Sequence, residues 1–212
     1  MKPTPKIEST PPKVPAQEAG EKTAYDSDHS EVKYQNLVSQ LNPHFLFNSL
    51  ATLESLIYSD QRLAVKFLSQ LTRVYRYVLT TRHTKLVTLG EELCFIKDYA
   101  DLLQTRFGKG LEVCLTVPEA YYSYQIVPTT LQILIENATR HNLTDPDSPL
   151  LVTIKTENQR LIIENNLQIK RTLEVQNRQG LSSLRNLYAY FSETTLEIQQ
   201  TPEFFRIVLP LL

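Results

Sequence analysis

The stretch PTTLQILIENATRH, residues 128–141, decides the fold because it predicts one amphipathic helix with two chemically distinct sides. Proline at position 128 suits the first position of a helix, where no backbone N–H is needed. One contiguous arc of the helical wheel is polar and comprises Glu136, Asn137, Arg140 and His141. The opposite arc is apolar and comprises Leu131, Leu134, Ile135 and Ala138. The pattern therefore predicts a helix that packs on a core and presents polar groups on its other side.

Strand patterns lie on both sides of this helix. Residues 111–117 alternate between apolar and polar side chains, as a half-buried strand does. After a break rich in aspartate and proline, further elements are predicted as strands at 150–156, 160–165, 194–199 and 204–209 and a helix at 181–190. This order predicts an α/β sandwich, with helices on one face of a mixed sheet.

Three more helices are predicted upstream. Thr88 and Glu91 form a capping-box pair that opens the last of them. Two helices are predicted before it, because apolar residues recur there at helical spacing. The first covers residues 31–58, and the second runs from the N-cap Asp60 to residue 80. Their apolar surface is wider than one partner helix covers, so we expect this hairpin to pair with a second copy as a four-helix bundle. The fold class is therefore predicted to be α+β.

Composition divides the chain into three parts. Residues 1–30 are rich in proline and polar residues and have too little apolar surface to offset the entropy of ordering. They are predicted to be a disordered tail or linker. Residues 31–82 are predicted to be the dimerisation helices, and residues 83–212 the α/β domain.

The charge balance and the cysteines argue against several classes of function. Lys+Arg number 22 and Asp+Glu 23, so the chain lacks the basic excess that direct nucleic-acid binding needs. Cys94 and Cys114 have no neighbours typical of a metal site and are predicted to be reduced core thiols. No apolar run approaches the roughly 20 residues that span a bilayer. We therefore expect a cytoplasmic location, with membrane attachment only through a segment absent from this chain.

A proline and a histidine occur together in LNPHFLFN, residues 41–48, within the first predicted helix. Pro43 removes a backbone hydrogen bond and bends a helix, which favours exposure of the neighbouring His44. Asn48 lies four residues further on and hence on the same face. A hydrogen-bonded structural histidine is the alternative interpretation of His44 taken alone.

The segment NPHFLFN resembles the phosphoacceptor box of the LytS-type sensor histidine kinases. Further pairs and triplets similar to that family follow in order and are Arg76-Tyr77, Glu91-Glu92-Leu93, Asp98-Tyr99 and Arg106-Phe107. Residues 134–141 resemble the asparagine box of the GHKL ATPase fold. The resemblance covers roughly residues 34–212 and implies a GHKL-type ATP-binding domain behind the helical hairpin.

The resemblance also implies the site. Its catalytic residues are expected to be His44, Asn48 and Glu136. Its ATP-binding residues are expected to be Asn137, Arg140, His141, Asn165, Gly180, Ser183, Arg185 and Asn186. Among these, Asn137 is the expected Mg²⁺ ligand, since Mg²⁺ prefers oxygen and shares its shell with substrate phosphates. Asn165 stands where the family commonly has an aspartate that reads adenine, and it keeps a carbonyl acceptor.

In the resembled family, a glycine-rich segment called the lid covers the ATP phosphates. Residues 179–186, which correspond to it here, depart from the family pattern, so three functions stay open. Leu181 and Ser183 occupy positions where two glycines are usual, which predicts weaker phosphate binding. The preferred reading is a kinase that autophosphorylates His44 from Mg-ATP, works as a homodimer and passes the phosphoryl group to a response regulator, with the LytTR DNA-binding type as a candidate. The alternatives are a catalytically weakened or inactive dimeric scaffold, and a response-regulator phosphatase that uses His44 and Asn48.

Overall fold

Two helices open the part of the chain that this computed structural model describes, which comprises residues 43–170 and 179–212. Helix α1 (Pro43–Ser59) and helix α2 (Gln61–Thr80) form the predicted hairpin. The predicted tail and residues 31–42 of the first helix lie outside the described residues.

Side-chain caps start the next two helices where the sequence predicts them. Asp60 caps α2, because its carboxylate accepts a hydrogen bond from the backbone N–H of Leu63 at 3.0 Å. Helix α3 (Leu89–Phe107) begins with the predicted capping box. The N–H of Glu91 donates to the Thr88 hydroxyl at 3.2 Å, and the N–H of Thr88 donates to the Glu91 carboxylate at 2.8 Å.

The sheet has five strands and mixed direction. Its strands are β2 (Leu111–Thr116), β4 (Leu150–Glu157), β5 (Arg160–Asn166), β6 (Glu197–Gln200) and β7 (Phe204–Pro210). They lie in the order β2-β4-β5-β7-β6, with β2 parallel to β4 and every other pair antiparallel. Two short strands that the sequence did not predict, β1 (Val87–Thr88) and β3 (Gln125–Ile126), pair separately.

Helices cover one face of this sheet. The register places Ile154, Ile163 and Ile207 side by side on adjacent strands, and all three are buried. Helix α3 contacts β2, and helix α4 (Thr130–His141) contacts β4. Helix α5 (Gln179–Phe191) packs on α4. The predicted α+β class, a helical hairpin followed by an α/β sandwich, is confirmed.

Helix α4 begins two residues later than predicted. Pro128 is not its first residue, because Thr129 has a left-handed backbone with φ 62° and serves as the N-cap. The hydroxyl of Thr129 donates to the carbonyl of Pro128 at 2.6 Å and does not cap the helix. The start of α4 is therefore set by contacts from elsewhere in the fold.

The structure contradicts the expectation about the two cysteines. Both cysteines are free, but Cys94 is exposed and Cys114 is half-buried, so the prediction that both lie in the core is wrong. The strand and helix patterns around them are amphipathic, and each thiol lies off the buried face. Among the described residues, no helix combines the length and the apolar character needed to cross a membrane.

The hairpin and the sandwich share one hydrophobic core in the described residues. Phe45 of α1 and Phe67 of α2 belong to the same cluster of buried side chains as Leu134 of α4 and Ile163 of β5. Helix α3 joins the two parts, because it packs on α2 and also on β2. The division between residues 82 and 83 stays a prediction.

Candidate functional site

Helix α4 carries the predicted polar and apolar arcs. Leu131, Leu134, Ile135 and Ala138 are buried, as the sequence predicts. Glu136 and Asn137 are half-buried, whereas Arg140 and His141 are exposed at the end of the helix. The helix therefore packs with one side and leaves the four predicted polar residues in reach of a ligand.

Glu136 is held in place by two donors. The phenol of Tyr99 donates to its Oε1 atom at 3.2 Å, and the side-chain amide of Gln132 donates to the same atom at 2.9 Å. Tyr99 is 1% exposed. Burial raises the pKa of Tyr99, and the negative charge of Glu136 raises it further. The Tyr99 phenol therefore stays protonated and remains a donor to Glu136.

Phe45, the residue after His44, packs on Tyr99 and on Tyr75 of α2. Its ring centroid lies 5.2 Å from that of Tyr99 and 6.3 Å from that of Tyr75. Burial, together with the charge of Glu136, raises the pKa of Tyr75 to about 12. We call Phe45, Tyr75, Tyr99 and Glu136 the aromatic junction. Through it, the beginning of α1 is joined to the helix that carries Asn137.

Asn48 lies one helical turn beyond His44 in α1 and is half-buried. The hydroxyl of Thr52 donates to its backbone carbonyl at 2.9 Å. His44 itself is the second residue of α1. The spacing of four residues corresponds to about one helical turn, and a joint role for His44 and Asn48 stays a prediction.

Asn137 is the predicted Mg²⁺ ligand, and this role stays a prediction. Its half-buried amide forms no hydrogen bond with any residue in the described ranges. These ranges also contain no group of three or more acidic, histidine or cysteine side chains that could hold a metal. The described residues therefore offer an ion few ligands, which suits Mg²⁺ because this ion usually shares its shell with substrate phosphates and water.

Asn165 offers a buried acceptor on the helix-covered face of the sheet. It is 5% exposed and lies between Val152 on β4 and Phe205 on β7. Its amide nitrogen donates to the carbonyl of Asn166 at 2.6 Å. No described residue donates to its side-chain oxygen, so this oxygen can accept a hydrogen bond from an adenine amino group.

The predicted lid residues lie in α5. Gly180 is the second residue of this helix and does not adopt a positive φ, so the helix begins two residues earlier than the predicted residue 181. Leucine and serine at 181 and 183 favour a helix over the glycine-rich turn of the family. Ser183 is half-buried, and Arg185 and Asn186 are exposed. Phosphate-binding roles for these four residues stay predictions.

Lys170, which sequence reasoning missed, closes the end of α4. Its ammonium donates to the carbonyl oxygens of Thr139 at 2.9 Å and of Arg140 at 3.2 Å. Its backbone N–H donates to the carbonyl of His141 at 3.1 Å. A cation at a helix C-terminus is stabilising, and no local sequence signal identifies one that arrives from a distant segment.

Glu92 of α3 caps the N-terminal end of α4. In the sequence this residue stands out only as part of a family motif. It is fully buried, and its Oε2 atom accepts from the phenol of Tyr77 at 2.6 Å and from the N–H of Thr129 at 3.0 Å. Its Oε1 atom accepts from the N–H of Leu131 at 3.0 Å. The detectable signal was a carboxylate on the apolar face of α3, between Leu89 and Ile96.

Replacing Glu92 with glutamine is expected to remove a pH dependence of stability. Burial raises the pKa of this carboxyl from 4.5 to about 7, although bonds from Tyr77, Leu131 and Thr129 oppose the shift. Because the folded pKa is above the ordinary one, the stabilisation is complete below pH 4.5 and is lost as the pH rises through about 7. The difference in free energy of unfolding between the native chain and Glu92→Gln should fall by about 3 kcal/mol across this window.

Urea unfolding of both chains over this pH range measures the difference directly. Titration of groups that do not contact Glu92 cancels in the subtraction. A difference that stays constant with pH would contradict the burial of an ionisable Glu92.

The chain is similar in sequence to known sensor proteins. Residues 32–111 match the family described as histidine kinase. Over 131 residues the chain is 36% identical to the sensor protein LytS of Oceanobacillus iheyensis, a match that covers 60% of this chain and 22% of that protein. Over 137 residues it is 31% identical to the sensor histidine kinase BtsS of Escherichia coli K12, covering 64% of this chain and 24% of that protein.

A solved structure is also similar in part. The catalytic domain of histidine kinase ThkA matches 59% of this chain and 94% of its own length, with 12% identity and a TM-score of 0.42. The segment that matches the two sensor proteins spans less than a quarter of the length of either. Residues 32–111 of the chain are therefore similar to the histidine kinase family, and its sequence relatives include sensor proteins named LytS and BtsS.

Proposed function

We propose that this chain is the core of a sensor histidine kinase that transfers the γ-phosphoryl group of Mg-ATP to His44. The aromatic junction is the observation that carries the proposal. Phe45 is 7% exposed and packs on Tyr99, whose phenol bonds to Glu136, the residue before Asn137. A buried anchor beside the acceptor histidine therefore ties it to the proposed nucleotide helix, and positioning of this kind is the main requirement for phosphoryl transfer.

The transfer forms one bond and breaks another. A neutral imidazole nitrogen of His44 attacks the γ-phosphorus, the bond from that phosphorus to the bridging oxygen breaks, and ADP leaves with the electron pair. The attacking ring must then lose its N–H proton. We assign Glu136 to accept this proton, directly or through one water, because its carboxylate is fixed by Tyr99 and Gln132 and is joined to α1.

The nucleotide is placed by groups on α4 and on the sheet. Asn165 offers its free side-chain oxygen to the adenine amino group. Arg140 and His141 are exposed at the end of α4, where their donors can reach phosphate oxygens. Asn137 would hold Mg²⁺, which supplies neutralisation of the negative charge that spreads over the phosphates during transfer. Gly180, Ser183, Arg185 and Asn186 of α5 are proposed to cover the phosphates.

Labelling of the purified chain tests this function. After incubation with γ-labelled Mg-ATP, we expect label that is stable to alkali and released by acid, as phosphohistidine is. Label on serine or threonine, which resists acid, would contradict the proposal. A chain that binds Mg-ATP and takes up no label would do the same.

The active unit is proposed to be a homodimer formed by the hairpin. Both helices expose large apolar side chains at helical spacing, namely Phe47, Leu50 and Ile57 on α1 and Val65, Leu68 and Leu79 on α2. Val65 is 67% exposed and Phe47 is 69% exposed, which is costly for a face in water. A second copy that packs on this face across a two-fold axis would complete a four-helix bundle.

The double variant Val65→Glu, Leu68→Glu is expected to be monomeric. Each buried aliphatic side chain contributes about 1.5–3 kcal/mol to the stability of the dimer. Because the interface has a two-fold axis, every substitution occurs in it twice. Light scattering coupled to size-exclusion chromatography measures the mass. Ile169→Glu is the control, because Ile169 is 62% exposed and lies outside the hairpin. A dimer that survives in the double variant would contradict the hairpin interface.

We further propose that the phosphohistidine passes its phosphoryl group to an aspartate of a response regulator. The proposal is supported by the similarity to sensor proteins of the LytS type. A regulator with a LytTR-type DNA-binding domain is the candidate partner. We propose a cytoplasmic location for this part of the protein, since both ATP and such a regulator are found there.

A further inference from the structure

Glu92 connects the hairpin to the proposed nucleotide helix through one carboxylate. It lies on α3 and receives the phenol of Tyr77 from α2 at 2.6 Å. It also receives the backbone N–H groups of Thr129 and Leu131 at the start of α4, both at 3.0 Å. Three helices therefore meet at a single side chain, two turns of α3 away from the aromatic junction.

The carboxylate is an expensive way to cap a helix. Glu92 is fully buried, and among the described residues no lysine, arginine or histidine forms an ion pair with it. Burying a charge without an ionic partner is costly unless hydrogen bonds compensate for the lost water. A threonine already stands at the N-cap position and could cap α4 with its own hydroxyl at no such cost. The fold instead turns that hydroxyl toward the carbonyl of Pro128.

The backbone at the cap is adapted to the remote carboxylate. Thr129 has a left-handed conformation with φ 62°, which is strained for a residue with a β-branched side chain. This conformation directs the N–H of Thr129 to Glu92. The backbone strain at Thr129 is therefore maintained by its hydrogen bond to Glu92, which in turn is bonded to Tyr77.

Two further contacts link the hairpin side of the connection to α3. The ring of Tyr77 stacks on Phe95, one turn of α3 beyond Glu92, with centroids 4.2 Å apart and an interplanar angle of 13°. On the same two helices, Arg73 forms an ion pair with Asp98 at 2.7 Å. A shift of α2 would therefore move the phenol and disturb the short bond to Glu92.

We propose that Glu92 is a positioning residue, which sets how the nucleotide helix α4 meets the hairpin that carries His44, and that Tyr77 is the contact through which the hairpin acts on it. The inference rests on the proposed function. It adds to that function the residue pair, Glu92 and Tyr77, that fixes the position of α4 relative to the hairpin. The aromatic junction holds the middle of α4, and Glu92 holds its beginning.

The variant Tyr77→Phe tests the proposal. It removes the bond from α2 and leaves both bonds from Glu92 to α4 intact. At saturating Mg-ATP and at a pH above 7, where Glu92 is mostly ionised, we expect the rate of label uptake by His44 to fall about tenfold. The reason is that the hairpin loses its hydrogen bond to the charged group that positions α4. The Kd for Mg-ATP should change by less than about twofold, since α4 stays capped. A purely structural role would lower the folded fraction without separating rate from affinity.

Tyr188→Phe is the matched control. Tyr188 is also fully buried, and its phenol lies 3.3 Å from the Thr130 hydroxyl at the start of α4, but it belongs to α5 and not to the hairpin. We expect this variant to keep the rate and the Kd of the native chain. An unchanged rate in Tyr77→Phe, or equal losses in both variants, would overturn the inference.

A double-mutant cycle with Glu92→Gln separates action through Glu92 from other roles of Tyr77. If Tyr77 acts through this carboxylate, adding Tyr77→Phe to Glu92→Gln should not slow the reaction further. Additive losses would overturn the proposal. If the native chain takes up no label, the proposed function fails separately, and hydrogen exchange then tests the connection. Faster exchange of the Thr129 amide in Tyr77→Phe than in Tyr188→Phe supports it, and equal exchange rejects it.

Discussion

Replacing His44 with glutamine is expected to abolish the uptake of labelled γ-phosphate. Glutamine is similar in size and polarity but has no nucleophilic ring nitrogen, so no phosphoramidate bond can form. His44 is the second residue of α1, and the neighbouring Phe45 provides the buried anchor. The variant should therefore keep the hairpin, the dimer and the affinity for Mg-ATP. Acid-labile label on the native chain, measured beside the variant, is the readout.

The control is His83→Gln, the same substitution in the turn between α2 and β1, where the histidine is exposed. This variant should be labelled like the native chain. Label that persists in His44→Gln would reject His44 as the acceptor. Loss of label in both variants would show that the substitution acts through something other than the proposed site.

Replacing Asn137 with alanine is expected to weaken binding of Mg-ATP by roughly a factor of 10 to 100. An interaction with a charged group contributes about 1.5–3 kcal/mol, and alanine removes the only proposed protein ligand of Mg²⁺. Asn137 is half-buried and makes no hydrogen bond with the described residues, so its loss should leave the fold intact. Titration calorimetry gives the Kd, and circular dichroism checks the fold.

Asn166→Ala is the control for this variant. Asn166 projects from the opposite face of β5 and bonds to the N–H of Leu151 and the carbonyl of Pro149, so alanine there costs stability without touching α4. It should still bind Mg-ATP. Equal affinities in Asn137→Ala and the native chain would contradict the proposed metal ligand. If the native chain itself shows no binding, the inactive dimeric scaffold becomes the favoured function.

The sequence predicted the parts of the fold that depend on local interactions. The Asp60 cap and the capping box at Thr88 depend on residues three positions apart, and the two arcs of α4 depend on residues that recur at helical spacing. Such contacts repeat at fixed spacing, so they can be identified without knowing what packs nearby. The alternation in residues 111–117 identified β2 for the same reason.

Predictions failed where a distant segment decides the outcome. The start of α4 moved from Pro128 to Thr130 because the capping group comes from α3. Gly180 entered α5 because leucine and serine replace the neighbouring glycines, and because the helix packs on α4. Cys94 is exposed because it lies just outside the buried face of α3. The width of this face depends on the two helices that pack on α3, namely α2 and α4.

The sequence by itself determined the chemistry available to this protein, because a histidine after a proline and a polar arc on an amphipathic helix are properties of residue type and spacing. Only the tertiary structure decided which of these groups meet. Tyr99 and Glu136 are 37 residues apart, as are Glu92 and Thr129, and no periodicity relates them. Their contacts exist because α3 packs on α2 and α4 at once, and packing between helices depends on shape in three dimensions.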